Sequence, residues 1–510
     1  MIGPGARVGV PPVKKAVHTY ALRRWAVRHA GLMEALYRLL EAVIRLVRPV
    51  VRRIGSDRMA KPITAVERAV KGLLFDCHMC GACILTATGM ACPMNCLKTV
   101  RNGPCGGVRP DGSCEVDAEL PCVWVEAWRG VQRMRSGVIP ATPNPPIEHH
   151  NVGKSSWLRL LREEPWPKAL LTNAPHPATP TAGSRLETLL REGVFVVTSE
   201  CAPPDSADPR SVLDHVHHYN GCVDALNVTD GPTAHIHMSS LGVSFLLARA
   251  GWEPVMQMTC RDRNRIAIQG DLLSASALGI RNLVCLTGDG IANGDAPDAK
   301  PVFDLDVVSL LDTARRMRDD GVYRSGGKLA APPRLFLGAV DNPFMPPFDL
   351  RPMRLAKKIE AGAQFVQTQY CFDIKMLERY MTRVREAGLH DRCCIIVGVG
   401  PIVSPRAARW MRAHVPGIHI PDDVIARLEQ ARDPHSEGIR MCIETIQQIR
   451  AIEGVAGIHL MAAKKECLIQ EIVHSSGVLA GRSRPLAFQA QPATDGQLVT
   501  KGACACPSLD

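Results

Sequence analysis

From Gly193 onward, eight short runs of β-branched and aliphatic residues recur along the chain, and this rhythm restricts the fold more than any other feature. The runs read VFVVTSE, VDALNVTD, PVMQMTC, RNLVCLTGD, RLFLGAV, QFVQTQYCF, CCIIVGV and GIHLMA, with longer amphipathic stretches between most of them. Short apolar runs alternating with helical ones describe strand–helix units. Eight of them over about 280 residues are what a closed (β/α)8 barrel of the TIM type requires. A doubly wound sheet is the alternative, but no G-x-G-x-x-G follows the first strand. The residues just after each strand then form the barrel's chemical face.

Ahead of the barrel lies a different texture. Eight of the nineteen cysteines fall between Cys77 and Cys122. The cluster opens C-x-x-C-x-x-C with Cys77, Cys80 and Cys83, continues to Cys92 followed by proline, and then spaces out through Cys96, Cys105, Cys114 and Cys122. Thiolates at this spacing suit a 4Fe-4S cluster first and a tetrahedral zinc second, and the later four could hold a second centre. A disulfide framework or a run of buried thiols is the bland alternative. Disulfides need an oxidising compartment, and MIGPGARVGVPPVKK lacks the apolar core of a secretory signal, so a cytoplasmic setting is expected.

The formal charge of +11 is concentrated, since residues 1–60 carry twelve Lys or Arg against three Asp or Glu. The same stretch has apolar residues at helical spacing with arginines between them, too frequent for a membrane span, and Pro49 is expected to mark a helix end. It reads either as an arm packed on the rest of the protein or as a basic amphipathic segment that meets an anionic membrane or an acidic redox partner. Nucleic acid is disfavoured, because no recognition motif accompanies the charge. The expected organisation is a basic helical arm over 1–70, a cysteine-rich metal or iron-sulfur domain over 71–138, a proline-rich linker over 139–190, the barrel over 191–480, and a flexible tail over 481–510, whose Cys504 and Cys506 read as incidental.

The strand ends offer few acids. Glu200 follows the first strand in SECAPP, Thr229 and Asp230 the second, Gln257 and Thr259 lie near the third, Asp289 follows the fourth, Asp341 and Asn342 the fifth, and Gln369 and Tyr370 the sixth. Partial burial would raise the pKa of Glu200 and make it a general acid; a loop-capping carboxylate is the plainer reading there, as it is for Asp289. With no Ser-His-Asp order, H-E-x-x-H or Walker loop, the chemistry is expected to rest on a bound organic cofactor, most simply a flavin.

VTSECAPP, LNVTDG, QMTCRDRNRIAIQGDLLSASALGIRNLVCLTGD and KKIEAGAQFVQTQYCFD, in this order, resemble the methylenetetrahydrofolate reductase family of flavin-dependent barrels over about residues 193–478. The cysteine region resembles the domain labelled the C-terminal domain of that family, although in this chain it lies N-terminal to the barrel. The resemblance implies an oxidoreductase of one-carbon and methionine metabolism that interconverts 5,10-methylene- and 5-methyltetrahydrofolate. It implies Glu200 as the acid that protonates the folate's bridging nitrogen, Asp289 beside flavin and folate, and Gln369 hydrogen-bonded to substrate or nicotinamide. Thr229 and Gln257 would contact the flavin, and Lys358 would lie near its phosphates. FAD is the default cofactor and FMN the alternative. Electrons would come from NAD(P)H or from a ferredoxin-like donor through the cysteine domain, in what is expected to be an oligomer. Departures from the family pattern fall at Gln257, at Asp230, in AVDNPFMPP and at Arg351 and Arg354. Two other functions remain open at this point: the same chemistry run as methyl-folate oxidation, and a non-catalytic zinc or electron-transfer scaffold.

Overall fold

A computed structural model describes residues 16–137, 139–163, 181–462 and 464–482. The first fifteen residues, residues 164–180 of the proline-rich linker, and the tail with Cys504 and Cys506 lie outside the described residues. The chain divides into two compact units. The first comprises 1–101, 121–140 and 147–168, and the second 102–120, 141–146 and 169–510.

The first unit is helical. Its elements are α1 (Ala16–Arg28), α2 (Ala30–Ile54), α3 (Ala60–Phe75), α4 (Val123–Val131) and α5 (Ser156–Arg162). Ala26, Ala30, Met33, Phe75, Leu85, Met90 and Met134 form one small core. Trp124, fully buried, donates its indole N–H to the Val100 carbonyl at 3.0 Å. A short loop meets α4 backbone to backbone at Gly89 and Gly130, where a Cβ on Gly130 would lie 1.9 Å from the Gly89 oxygen. Pro49 does not end α2, contrary to expectation; the helix runs on to Ile54. Proline forfeits one internal hydrogen bond, but Ile44 and Val51 on either side of it stay buried against Leu158 and Leu161, and that packing carries the helix through. No described helix is long and apolar enough to cross a membrane.

The second unit is a closed barrel of eight parallel strands in sequential order. They are β1 (Val196–Cys201), β2 (Ala225–Val228), β3 (Pro254–Thr259), β4 (Asn282–Leu286), β5 (Phe336–Asp341), β6 (Phe365–Tyr370), β7 (Cys394–Val399) and β8 (Val455–Leu460). Each of the eight sequence runs supplies one strand. Alternation sends every second side chain inward. Val196, Ala225, Val255, Val284, Phe336, Phe365 and Ile396 pack one apolar layer, closed from below by Leu186, Leu189 and Leu190 of α6 (Arg185–Arg191).

Above that layer the interior turns polar. Gln367 accepts from Asn227 at 2.5 Å and donates to Thr198 at 3.2 Å, while Thr198 meets Nδ1 of His459 at 3.0 Å. Burial pushes the His459 pKa down to about 4, so the imidazole is neutral and the layer holds no net charge. This neutral floor separates the apolar plug from the strand ends.

Candidate active site

Glu200 stands two residues beyond Thr198 on β1, on the same inward face and one step nearer the strand end. The Tyr219 hydroxyl fixes that end by donating to the Glu200 carbonyl at 2.8 Å. The Glu200 carboxyl is half-buried and has no ion pair among the described residues; burial, with a smaller contribution from the nearby Glu466, raises its pKa from the ordinary 4.5 to about 7. Tyr370 lies close enough for the Glu200 charge to oppose ionisation of its phenol, which burial already raises. The Tyr370 hydroxyl donates to the Met461 carbonyl at 3.1 Å, and its ring stacks on Phe372.

Around this carboxyl the other strand ends contribute neutral groups. Thr229, just past β2, is buried with its hydroxyl oxygen making no hydrogen bond. A buried hydroxyl without a partner costs free energy unless a ligand supplies one. Gln257 on β3 is buried, with its backbone carbonyl held by the Ser240 hydroxyl at 2.8 Å. Gln369 is the last residue but one of β6, where the pairing with β7 loses register, and its side-chain oxygen accepts the Tyr370 backbone N–H at 3.0 Å. Asp289 lies in the exposed loop after β4 and accepts the Thr233 backbone N–H at 2.9 Å. That loop is folded tightly: a Cβ on Gly288 would sit 2.9 Å from Arg261 Cβ.

Two sequence departures have structural uses. Asp230 accepts the Thr259 N–H at 2.8 Å and both Arg263 amino groups at 2.6 and 3.1 Å, so it braces β2 against the loop after β3. Arg351 and Arg354, both buried, reach the segment 102–120 that shares this unit. Arg354 donates to the carbonyls of Asn102 and Pro104, and Arg351 to that of Cys105. Asn102 in turn donates to Asp306, the N-cap of helix Val307–Arg315, and Asn342 donates to the Gly106 carbonyl at 2.8 Å. Cys105 and Cys114 therefore ride with the barrel unit, while Cys77, Cys80, Cys83, Cys92, Cys96 and Cys122 belong to the first.

Lys358 is buried, not open to a phosphate. Its ammonium donates to the Val340 carbonyl at 2.6 Å and to Asp341 at 2.5 Å, and Asp341 also accepts the Tyr380 hydroxyl at 2.6 Å. Burial lowers the Lys358 pKa to about 8. Burial works against the Asp341 carboxylate too, but Lys358 outweighs it and keeps Asp341 ionised below its usual range.

In the first unit, Cys77, Cys80, Cys83 and Cys92 line one cavity with Lys71 and Arg101. The sulfurs face donors: the Met79 N–H lies 3.4 Å from Cys77, Arg101 3.8 Å from Cys80, and the Tyr37 hydroxyl 3.7 Å from Cys83. Lys71 is held by Glu67 at 2.5 Å and Ser156 at 2.7 Å, with the Tyr37 and Trp157 rings over its ammonium. Burial raises the Cys77 thiol to about 11 and Cys92 further. Only glycine fits at Gly81, where φ is +72° and a Cβ would meet the Asn151 oxygen at 2.5 Å. Among the described residues, no group of three or more Cys, His, Asp or Glu side chains converges as a single metal ion would require.

Residues 185–477 match the family model described as methylenetetrahydrofolate reductase, more than half of the chain. The chain belongs to the methylenetetrahydrofolate reductase family. Residues 57–148 match a second model, described as methylene-tetrahydrofolate reductase C terminal. Among curated relatives of the family, a probable methylenetetrahydrofolate reductase (NADPH) of Caenorhabditis elegans is 29% identical over 245 residues, 47% of this chain and 34% of that protein. Methylenetetrahydrofolate reductase 2 of Schizosaccharomyces pombe is 28% identical, over 44% of this chain and 36% of its own length. The 5,10-methylenetetrahydrofolate reductase of Salmonella typhimurium is 24% identical, over 46% of this chain and 73% of its own. The chain thus spans about a third of the length of the first two.

One neighbour of Glu200 has no signal in the sequence: Glu466 comes from the short turn after β8, far away in the chain, and no motif marks it. Tyr370 is legible as a strand-end residue, but not its place beside Glu200. Arg351 and Arg354 carried a signal, since they depart from the family pattern, but their carbonyl partners in 102–105 could not be read from spacing.

Proposed function

We propose that this protein is a flavin-dependent methylenetetrahydrofolate reductase in which Glu200 is the general acid. The observation that carries the reading is the Glu200 carboxyl, lifted to about 7 at the end of β1 above a neutral polar floor. A carboxyl poised near neutrality holds a proton for the bridging nitrogen of the methylene folate. Its protonation opens the five-membered ring to an iminium, the species a hydride can reduce. Such a group also accepts the proton back, so the same site serves methyl-folate oxidation. Asp289 and Gln369 are assigned to orienting the folate ring, Gln369 through its amide N–H.

The residues present fit a flavin. Thr229 offers a buried hydroxyl lacking any partner, and Gln257 a neutral amide beside it on the next strand. When bound, the flavin supplies the hydride. Lys358 is left out of phosphate binding, because its ammonium is committed to Asp341 and the Val340 carbonyl. FAD is the cofactor the family favours, and FMN is the alternative.

For the first unit, we assign a 4Fe-4S cluster to Cys77, Cys80, Cys83 and Cys92. A cluster takes one thiolate per iron, so its ligands ring a cavity, whereas zinc gathers all of them on one ion. The four thiols ring a cavity, and three of them have an N–H or O–H facing sulfur. The cluster would supply single electrons from a ferredoxin-like donor, with NAD(P)H as the other source.

Anaerobic purification followed by flavin extraction and iron, sulfide and zinc analysis tests both cofactor assignments. Steady-state interconversion of methylene and methyl folate tests the acid: Glu200→Gln should lose about 100-fold or more. Activity retained in Glu200→Gln would remove Glu200 from that role.

A further inference from the structure

Helix α3 carries a buried ion pair that has no part in the folate chemistry. Glu67 and Lys71 lie one turn apart on it, 2% and 1% exposed, with the ammonium 2.5 Å from the carboxylate. Burial works against the Glu67 carboxylate, but Lys71 and the hydroxyls of Ser155 and Ser156 outweigh it and keep Glu67 ionised below its ordinary range. Replacing such a pair by apolar side chains is often neutral or stabilising, so packing α3 against the start of α5 does not by itself require these charges. The same two side chains line the cavity of Cys77, Cys80, Cys83 and Cys92.

The pair is not symmetric about that cavity. Helix α3 ends at Phe75 and the chain runs straight on to Cys77, so Lys71 lies one turn nearer the cysteines than Glu67. Glu67 is occupied at the start of α5, where it accepts the hydroxyls of Ser155 and Ser156 and the Trp157 N–H at 3.2 Å. An ammonium has three N–H donors, and Glu67 and Ser156 take two of those on Lys71. The Tyr37 ring centre lies 5.6 Å from the Lys71 nitrogen, and the hydroxyl of that same tyrosine is 3.7 Å from Cys83 Sγ. The positive end of the pair therefore lies on the sulfur side.

A four-thiolate iron-sulfur cluster is negative in both oxidation states and more negative when reduced, and nearby charge is one of the levers that set its potential. A fixed buried cation beside it favours the reduced state more than the oxidised one. We propose that Lys71 sets the reduction potential of the centre held by Cys77, Cys80, Cys83 and Cys92, while Glu67 holds the ammonium in place and moderates its field. This inference rests on the assignment of a 4Fe-4S cluster to that cavity. In the step concerned, one electron leaves the ferredoxin-like donor, which is oxidised, and enters the cluster, which is reduced. No bond forms or breaks, and Lys71 keeps its proton throughout.

The test is a redox titration of the anaerobically purified full-length protein, followed by electron paramagnetic resonance, with iron, sulfide and zinc measured in each preparation. At a fixed ambient potential, Lys71→Met should lower the ratio of reduced to oxidised cluster about tenfold, and Glu67→Gln should raise it by a similar factor. For a one-electron couple that is about 59 mV in each direction. The double variant should return close to the parent, a cancellation that loss of packing would not produce. Should Lys71→Met lose its iron, Glu67→Gln and the double variant still differ only in the Lys71 side chain, and Glu67→Gln should hold about tenfold more reduced cluster. Single variants that titrate with the parent, shifts in the same direction, or equal potentials in Glu67→Gln and the double variant overturn the proposal and leave the cluster assignment standing. A parent that carries zinc and neither iron nor sulfide overturns the cluster assignment itself, and this proposal with it.

Discussion

Two carboxylates sit at the ends of barrel strands, Asp341 buried and Glu200 half-buried, and their surroundings set them to opposite tasks. Asp341, closing β5, is paired with Lys358 and bonded by Tyr380, and it stays ionised. Glu200, near the end of β1, has no ion pair among the described residues and lies near a second acid, Glu466, so it holds its proton up to about pH 7. Alternation points Glu200 into the barrel, on the face of Val196, and Asp341 outward, toward the helices that carry Lys358 and Tyr380. The difference teaches that a place near the rim does not make a carboxyl chemical; the face it points to and the counter-charge it meets there do. The paired end is architecture, and the unpaired end can exchange a proton.

The comparison breaks most visibly on the paired side. Asp341→Ala would strand the Lys358 ammonium in the interior, and denaturant unfolding should show a loss of about 3–5 kcal/mol, the usual size for removing one partner of a buried ion pair. Glu200→Gln should do the reverse, costing about 2.7 kcal/mol or more in transition-state stabilisation, the equivalent of 100-fold, with the fold intact. If Asp341→Ala unfolds no more readily than the parent, the architectural role assigned to β5 is wrong.

A pH series sharpens the contrast. Because the folded pKa of Glu200 is raised above its ordinary 4.5, its stabilising contribution is complete below the ordinary value and is lost as the pH rises through about 7. Glu200→Gln should therefore melt at a higher temperature than the parent at pH 8 and at a similar one at pH 4. Reductive turnover, which needs the protonated acid, should fall about tenfold per pH unit above about 7 in the parent, a dependence the variant should lack. The smallest expected effect is at Thr229. Thr229→Val removes a hydroxyl with no protein partner, so thermal stability should hold or rise, while flavin retention should weaken by about 1 kcal/mol, roughly fivefold in affinity. Unchanged flavin affinity would take Thr229 out of the cofactor site.

These contrasts were unevenly legible in the sequence. The eight strands were readable because each is a compact apolar run whose alternation survives in local order, and the family was readable from motifs such as VTSECAPP and KKIEAGAQFVQTQYCFD. Glu200 could be singled out, yet its neutral floor of Thr198, Asn227, Gln367 and His459 comes from four strands and has no local signature. Lys358 shows the limit most clearly. A lysine in KKIEAGAQ looks available to a phosphate until β5 delivers Asp341 to its ammonium. Pro49 misled for a related reason, since the contacts that carry α2 past it are made by Leu158 and Leu161, more than a hundred residues away in the chain.

What the sequence determined by itself is whatever depends on periodicity and short spacing. That covers strand number, the barrel, the C-x-x-C-x-x-C run and the family, because backbone geometry converts such patterns directly into structure. The tertiary structure alone decided which cysteines gather and which side chains are paired. Cys77, Cys80, Cys83 and Cys92 share a cavity, while Cys105 and Cys114 went to the barrel unit with the carbonyls that Arg351 and Arg354 hold. Whether a buried charge is neutralised depends on what lies within a few ångströms in space, and that proximity is set by chain segments that local sequence cannot relate.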